Sequence, residues 1–370
     1  MERIGKIRSA DVAAAAAARE KWNRIAKPLG SFGILEDLVV KTAAVQGTSD
    51  VVLSQRTAVI MCADNGVVTE GISQSGQDVT ARSAAAIAEG RSNINALADV
   101  YGAAVLAVDI GVAQDFPADT RIVRDTAAAL RPAGSAAGAG AVLDRKIARG
   151  AGNIAREPAM THAQVQQAIV TGMDIVRDLA AAGTQVIVTG EMGIGNTTIA
   201  SVLAAVYLKL PAQEVTGRGA GLSTCVLQKK TEVVRRAAAL LHPDADDPLD
   251  VLTKVGGYDV AGMAGLFLGG AYYGIPVITD GVVSAAAAYT AFLLNPLCAE
   301  YILPGHVSAE PAGRIFPERM GLKPVIDARL RLGEGTGGIL LLPLLDGALA
   351  LYRNAHTFEG LGIEAYKQLT

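Results

Sequence analysis

The chain has 370 residues, 51% of them hydrophobic, enough to bury a large core in one domain or two. Lys and Arg number 33 against 36 Asp and Glu, a net charge of -3; this excludes a broad basic surface for nucleic acid or anionic lipid, so any phosphate must be held locally. Three cysteines, Cys62, Cys225 and Cys298, are odd in number and far apart, which fits neither a disulfide framework nor a zinc site and points to a reducing cytoplasm.

The first predicted element is a helix over about 9–26. Its alanine run 13–18 reads as a packing surface, and the flanking charges, with no typical cleavage site after them, argue against an export signal. Short apolar runs then alternate with longer alanine-rich segments. The runs are TAVIMCA (57–63), AAVLAVDIGV (103–112), TQVIVTG (184–190), IPVITDG (275–281), CAEYILPG (298–305) and GGILLLPLL (337–345). Continuous Val, Ile and Leu without polar alternation is the pattern of strands covered by helices on both faces. Loops are expected at 131–141 and 241–250. Residues 260–279 carry no charge over a bilayer-spanning length, but five glycines and Pro276 argue for a buried helix followed by a buried strand, and against a membrane span. The expected fold is α/β: a doubly wound, mostly parallel, Rossmann-like sheet over 40–340, with a small helical domain built from 1–39 and 341–370.

In such a sheet, ligands bind beyond the carboxyl ends of the strands, where turn amides and helix N-termini point. EMGIGNTT (191–198) follows one run directly. Gly193 and Gly195 permit a sharp turn and a close backbone approach, while Asn196, Thr197 and Thr198 can cap a helix or donate to phosphate and ribose oxygens. The octet lacks a P-loop lysine and the G-x-G-x-x-G spacing, and taken alone it reads equally as a capped turn. RLRLGEGTGGIL (329–340) sets Glu334 between glycines, where a carboxylate serves neither core nor helix surface. It is free to act as a base, and a partly dehydrated cleft would raise its pKa toward neutrality; the bland alternative is a loop glutamate in water. Asp64 and Asp280 end strands, serving either loop amides or ligand hydroxyls. Of His162, His242, His306 and His356, only His306 falls in a motif. The cysteines read as buried and inert.

EMGIGNTT, VTGRGAGL (215–222), GHVSAEPAG (305–313) and RLGEGTGG (331–338) resemble, in this order, signature segments of the nicotinate mononucleotide:5,6-dimethylbenzimidazole phosphoribosyltransferase family. The likeness runs from KPLGSFGILEDL (27–38) through ADNGVVTEGIS (63–73), RGAGNIAREPAM (149–160), GGYDVAGMAG (256–265) and PVITDGVVSAAA (276–287), and so covers nearly the whole chain. It implies transfer of phosphoribose from nicotinate mononucleotide to a lower-ligand base with inversion, giving an α-ribotide and nicotinate for cobamide synthesis. It implies Glu334 as general base and Glu191 as a contact to ribose hydroxyls. Gly193, Gly195, Gly333, Gly335 and Gly337 would cradle phosphate and ribose, aided by Thr336, Ser308 and Lys230. No metal and no cofactor is implied; the partners are the nucleotide, an aromatic acceptor base and a second subunit, identical or paralogous.

The acceptor pocket is expected to contain Ser73, Asn65 and Arg82. Ser73 matches the resembled pattern; that pattern has His at Asn65, Pro at Gly76, Gln at Arg82 and His at Gly313. An added guanidinium favours a more acidic acceptor such as a phenolate, whereas drift one step from the ligand carries no such meaning. Two readings follow: an active transferase using a benzimidazole-type or phenolic acceptor, or a non-catalytic paralogue completing a partner's site.

Overall fold

The computed structural model describes residues 1–366. Among these described residues seven strands, Arg56–Ala63 (β1), Ala103–Gly111 (β2), Ile122–Val123 (β3), Val142–Asp144 (β4), Val186–Met192 (β5), Val277–Thr279 (β6) and Ile302–Pro304 (β7), form one sheet in the order β3-β4-β2-β1-β5-β6-β7. Every pairing is parallel. β1 and β5, rich in Val and Ile, have no exposed residue, because helices cover both faces. The chain builds outward from β1 through β2 to β3 and β4, then returns to the other side of β1 with β5. That reversal opens a crevice at the strands' carboxyl ends, where Asp64, Glu191, Asp280 and His306 emerge.

The uncharged segment 260–279 is a helix, Tyr258–Tyr273, buried from Tyr258 to Ala271, followed by β6. Two other runs differ from their sequence reading. GGILLLPLL is helical, Thr336–Ile339 then Leu341–Asn354: the buried Leu341, Leu342, Leu345, Ala348, Leu349 and Tyr352 recur at helical period beyond the run itself. CAEYILPG opens in a 3-10 turn, Pro296–Tyr301, and only its end is the strand β7. The stretch Thr336–Asn354 is long and apolar enough to cross a bilayer, but 56% of its most apolar window is buried inside the fold.

The chain's two ends meet. The Val12–Arg24, Ile34–Gln46 and Leu341–Asn354 helices pack together, with Trp22 5.1 Å from Tyr352 and 6.3 Å from Phe32 between ring centroids. Their buried side chains are continuous with Ala58, Ile60, Val186 and Val188 on one sheet face. The predicted terminal helical segment extends to 370; its residues 367–370 lie outside the described residues.

Candidate active site

A cleft of about 340 Å³ lies over the carboxyl ends of β5, β6 and β7, within the size range of small-molecule sites. β5 carries Glu191 and Met192 to its edge, and the turn that follows is dictated by crowding. A Cβ on Gly193 would lie 2.1 Å from the Ala63 carbonyl oxygen, and Gly195 sits at φ 97°, capping the Asn196–Leu208 helix. Gly193, Gly195, Asn196 and Thr197 all line the cleft. Asn196 donates a short hydrogen bond to the Glu191 carboxylate. Lys230 stands just behind this wall, fully buried, with Nζ donating to Thr197 Oγ1 (2.9 Å) and to the Gly217 carbonyl (3.1 Å). Burial pushes its pKa down to about 8, against the opposing pull of Glu310.

Glu334 faces the same space. It adopts φ 60° between Gly333 (φ 84°) and Gly335 (φ 80°), three left-handed residues in succession, a conformation unfavourable for a non-glycine side chain and found where surroundings over-determine it. Its half-buried carboxylate accepts from Asn93 Nδ2 (3.1 Å) and from the Ile94 amide (3.4 Å), at the N-terminus of the Asn93–Tyr101 helix. The loop also approaches β5 closely: a Cβ on Gly333 would meet Glu191 Oε1 at 2.7 Å.

Three glycines expected at the nucleotide divide their roles. Gly333 lines the cleft, but the amides of Gly335 and Gly337 are already taken by Asp280, at 3.1 and 2.8 Å, with Gly338 adding a third at 2.9 Å. Thr336 is buried and donates to the Gly333 carbonyl. The helix N-terminus there holds an internal carboxylate, so Gly335, Thr336 and Gly337 shape the loop without facing the cleft. His306, at the cleft wall, places Nε2 3.3 Å from Asp280 Oδ1. Burial alone would raise the Asp280 carboxyl, but His306 and the amides outweigh it and hold it below its ordinary value; burial would lower His306, and Asp280 raises it on balance.

Ser308 and Ser73 line the cleft. Two other acceptor candidates do not. Asn65 is completely buried behind Gly195, whose Cβ would meet Asn65 Cβ at 3.3 Å. Arg82 lies on the outer face of the Asp78–Glu89 helix with 76% of its side chain exposed, 3.8 Å from Asp78 one turn earlier. Its inward neighbours are Thr80, Ala81, Ala84 and Ala85. Cys62 and Cys298 are buried, whereas Cys225 is exposed in the first turn of the Thr224–Leu241 helix.

The sequence reading passed over Arg218, Arg331 and Glu310, all of which line the cleft, and Asn93, which holds Glu334. Arg331 Nη1 donates to the Gly219 carbonyl (3.3 Å), and Glu310 accepts from the Gly219 amide (2.9 Å). The first three stand inside the quoted glycine-rich motifs, where a charge among small residues was itself a signal; Asn93 had none, being 241 residues from its partner.

Glu191 is only half-buried at the cleft wall, yet desolvation above all, then the carboxylates of Asp259, Asp280 and Glu334, push it up to about 8, against the Asn196 hydrogen bond. Asp259, fully buried, rises to about 7, mainly through burial.

A phosphoribosyltransferase family matches residues 7–363. The chain belongs to that family. A nicotinate-nucleotide--dimethylbenzimidazole phosphoribosyltransferase of Acetivibrio thermocellus is 40% identical over 349 residues, 94% of this chain and 93% of that one. One of the same description from Ruminiclostridium cellulolyticum is 38% identical over 368 residues, 100% of this chain and 99% of that one. The crystal structure of CobT from Thermus thermophilus aligns with a TM-score of 0.85 at 35% identity, covering 95% of this chain and 99% of that chain. Within the phosphoribosyltransferase family, then, this chain brings three glutamates, Glu191, Glu310 and Glu334, to one cleft.

Proposed function

We propose that this chain transfers the phosphoribosyl group of nicotinate mononucleotide to a benzimidazole-type base, with inversion at the anomeric carbon, supplying an α-ribotide for cobamide synthesis. The observation that carries the reading is the convergence of Glu191 and Glu334, from β5 and from a loop more than 140 residues later, on one cleft floored by the Gly193–Asn196 turn. The names of the relatives supply the substrates. In the reaction the bond from the anomeric carbon to the nicotinate ring nitrogen breaks, its electron pair leaving with nicotinate. The acceptor nitrogen bonds to the opposite face of that carbon, and its proton passes to Glu334. Positioning and proton removal supply most of the catalysis.

The hydroxyls of Thr197 and Ser308 and the turn amides serve the phosphate and ribose. Lys230, being committed to Thr197 and Gly217, fixes Thr197 and contributes positive charge from one layer behind. Ser73, with Ile72, Val79 and Leu222, forms wall suited to an aromatic ring. The case for a phenolic acceptor rested on a guanidinium at Arg82, which stands in solvent, so the benzimidazole N–H is the favoured nucleophile. We further expect association into a dimer, a cytoplasmic location, and a cap formed by 1–39 with 341–370 on the 40–340 body.

The purified chain, incubated alone with nicotinate mononucleotide and a panel of benzimidazoles, purines and phenols, should release nicotinate with the benzimidazoles. Failure with every acceptor, rescued by adding a paralogous subunit, would eliminate the stand-alone enzyme. Release with phenols alone would assign the other acceptor class.

A further inference from the structure

The wall proposed for the aromatic acceptor includes Ile72 and Ser73, which belong to a segment with few fastenings of its own. Ile72 packs into the core, but among the described residues no backbone atom of 72–75 hydrogen-bonds to another element; the Ser75 amide finds only Ser73 Oγ, at 3.1 Å. One exposed side-chain tie crosses the cleft mouth, from Gln74 Nε2 to the Gly221 carbonyl at 2.8 Å. The place of the wall is therefore set largely at its two ends. One end is the Asp78–Glu89 helix, and the other is the 3-10 turn Gly66–Glu70, which leads into the segment through Gly71 at φ 67°.

That turn closes on Glu70, whose side chain is only 10% exposed and accepts from three side chains of two distant elements. Asn153 Nδ2 (2.8 Å) and Arg156 Nε (3.0 Å) reach Oε1 from the 149–160 loop, and Arg236 Nη2 (2.5 Å) reaches Oε2 from the Thr224–Leu241 helix. Asn153 is itself buried and fixed, donating to Thr69 Oγ1 and accepting from the Ala155 amide, each at 3.0 Å. The backbones meet as well: the Gly66 amide donates to the Ala151 carbonyl at 2.9 Å, and a Cβ on Gly66 would lie 2.7 Å from that oxygen. Single ion pairs on a surface contribute little, but a nearly buried carboxylate shared by a fixed amide and two guanidiniums defines one geometry. Glu70 does not line the cleft, so the reaction makes no direct use of its charge.

We infer that Glu70 is a positioning residue: by gathering Asn153, Arg156 and Arg236 on one carboxylate it fixes the Gly66–Glu70 turn, and so holds Ile72 and Ser73 where the acceptor ring lies. The consequence for the acceptor rests on the function proposed above. The nucleotide side of the cleft keeps separate ties. Lys230 shares a helix with Arg236, but it is held by Thr197 and Gly217, not by Glu70. Loss of the Glu70 cluster is then felt by the acceptor and not by the nucleotide.

The test compares Glu70→Gln with the parent chain in two ways. Hydrogen–deuterium exchange of the ligand-free protein, which needs no turnover, should be faster in peptides covering 66–76 and unchanged in those from β1 and β5. In kinetics, the KM for 5,6-dimethylbenzimidazole should rise roughly tenfold, while the Kd for nicotinate mononucleotide, measured by calorimetry, stays within about twofold. Arg236→Met, at a side chain already 44% exposed, should move the same quantities in the same direction by less, and Arg236→Lys should restore most of the difference. These two variants decide the matter should Glu70→Gln fail to fold. Unchanged exchange over 66–76, or an acceptor KM that stays put, overturns the proposal. So does loss of nucleotide and acceptor affinity together, the mark of a general weakening of the fold. A parent chain inactive with every acceptor would sink the proposed function instead, and the exchange measurement would still decide whether Glu70 holds the segment.

Discussion

The surroundings of Glu334 suit the general base proposed for it. Two donors from the start of the Asn93–Tyr101 helix fix its carboxylate, and three left-handed residues in succession leave the loop little freedom to turn it elsewhere. Replacing it with Gln keeps the volume and much of the hydrogen bonding but removes the proton acceptor. Glu334→Gln should therefore lower kcat by roughly 10²–10⁴, the usual share of a general base, while the Kd for nicotinate mononucleotide changes only a few-fold. Near-normal turnover in that variant would show that the proton goes elsewhere. Part of this was legible beforehand: a glutamate flanked by glycines has no packing task. The Asp280 arrangement was not, because its carboxylate reaches amides 55 to 58 residues away, and nothing local in PVITDG distinguishes a ligand contact from an internal cap. Arg82 was legible and missed, since it stands one turn after Asp78 on the face opposite four buried small or hydroxyl side chains.

Among the elements, the Tyr258–Tyr273 and His162–Ala181 helices cross with their backbones in contact. A Cβ on Gly172 would lie 2.1 Å from the Gly262 carbonyl, and one on Gly265 would lie 2.1 Å from the Ile169 carbonyl. Both contacts are with backbone, which cannot swing aside, so the helices would have to separate. Gly172→Ala and Gly265→Ala should each destabilise the fold by about 1–3 kcal/mol despite the better helix propensity of alanine, measured by denaturant unfolding. Stability equal to or above that of the parent would mean that the crossing is looser than its geometry. This helix also marks where sequence period succeeds and fails. An uncharged stretch as long as 260–279 resolves into helix and strand because Gly274 and Pro276 break it. GGILLLPLL, at nine residues, fits a buried strand or a buried helix equally, and only the downstream recurrence of Ala348, Leu349 and Tyr352 decides. β3 and β4, of two and three residues, are too short to show any period.

At the scale of the whole molecule, the acids gathered behind the cleft should be visible in stability itself. Glu191 and Asp259, displaced to about 8 and about 7, keep protons in the folded chain that the unfolded chain gives up near its ordinary carboxylate values. The folded state then binds more protons than the unfolded across that interval, so stability falls as pH rises through it. His306 acts with the same sign: its raised pKa gives stability that is complete below the unfolded value near 6.5 and is lost above it. Groups of the opposite sign lie outside the window. Glu70, lowered to about 2 by Asn153 and two arginines against its own burial, and Asp280, also lowered, lose their contribution only at more acidic pH. Lys41 and Lys230, lowered to about 8 by burial, add stability only as pH rises above that value. Between about pH 5.5 and about pH 7.5 the first group acts almost alone, so the ligand-free protein should melt several degrees higher at the lower pH. Glu191→Gln, having one displaced carboxyl fewer, should show a shallower slope. A Tm that is flat or rises with pH across this interval would mean that the acids behind the cleft are solvated in the folded chain.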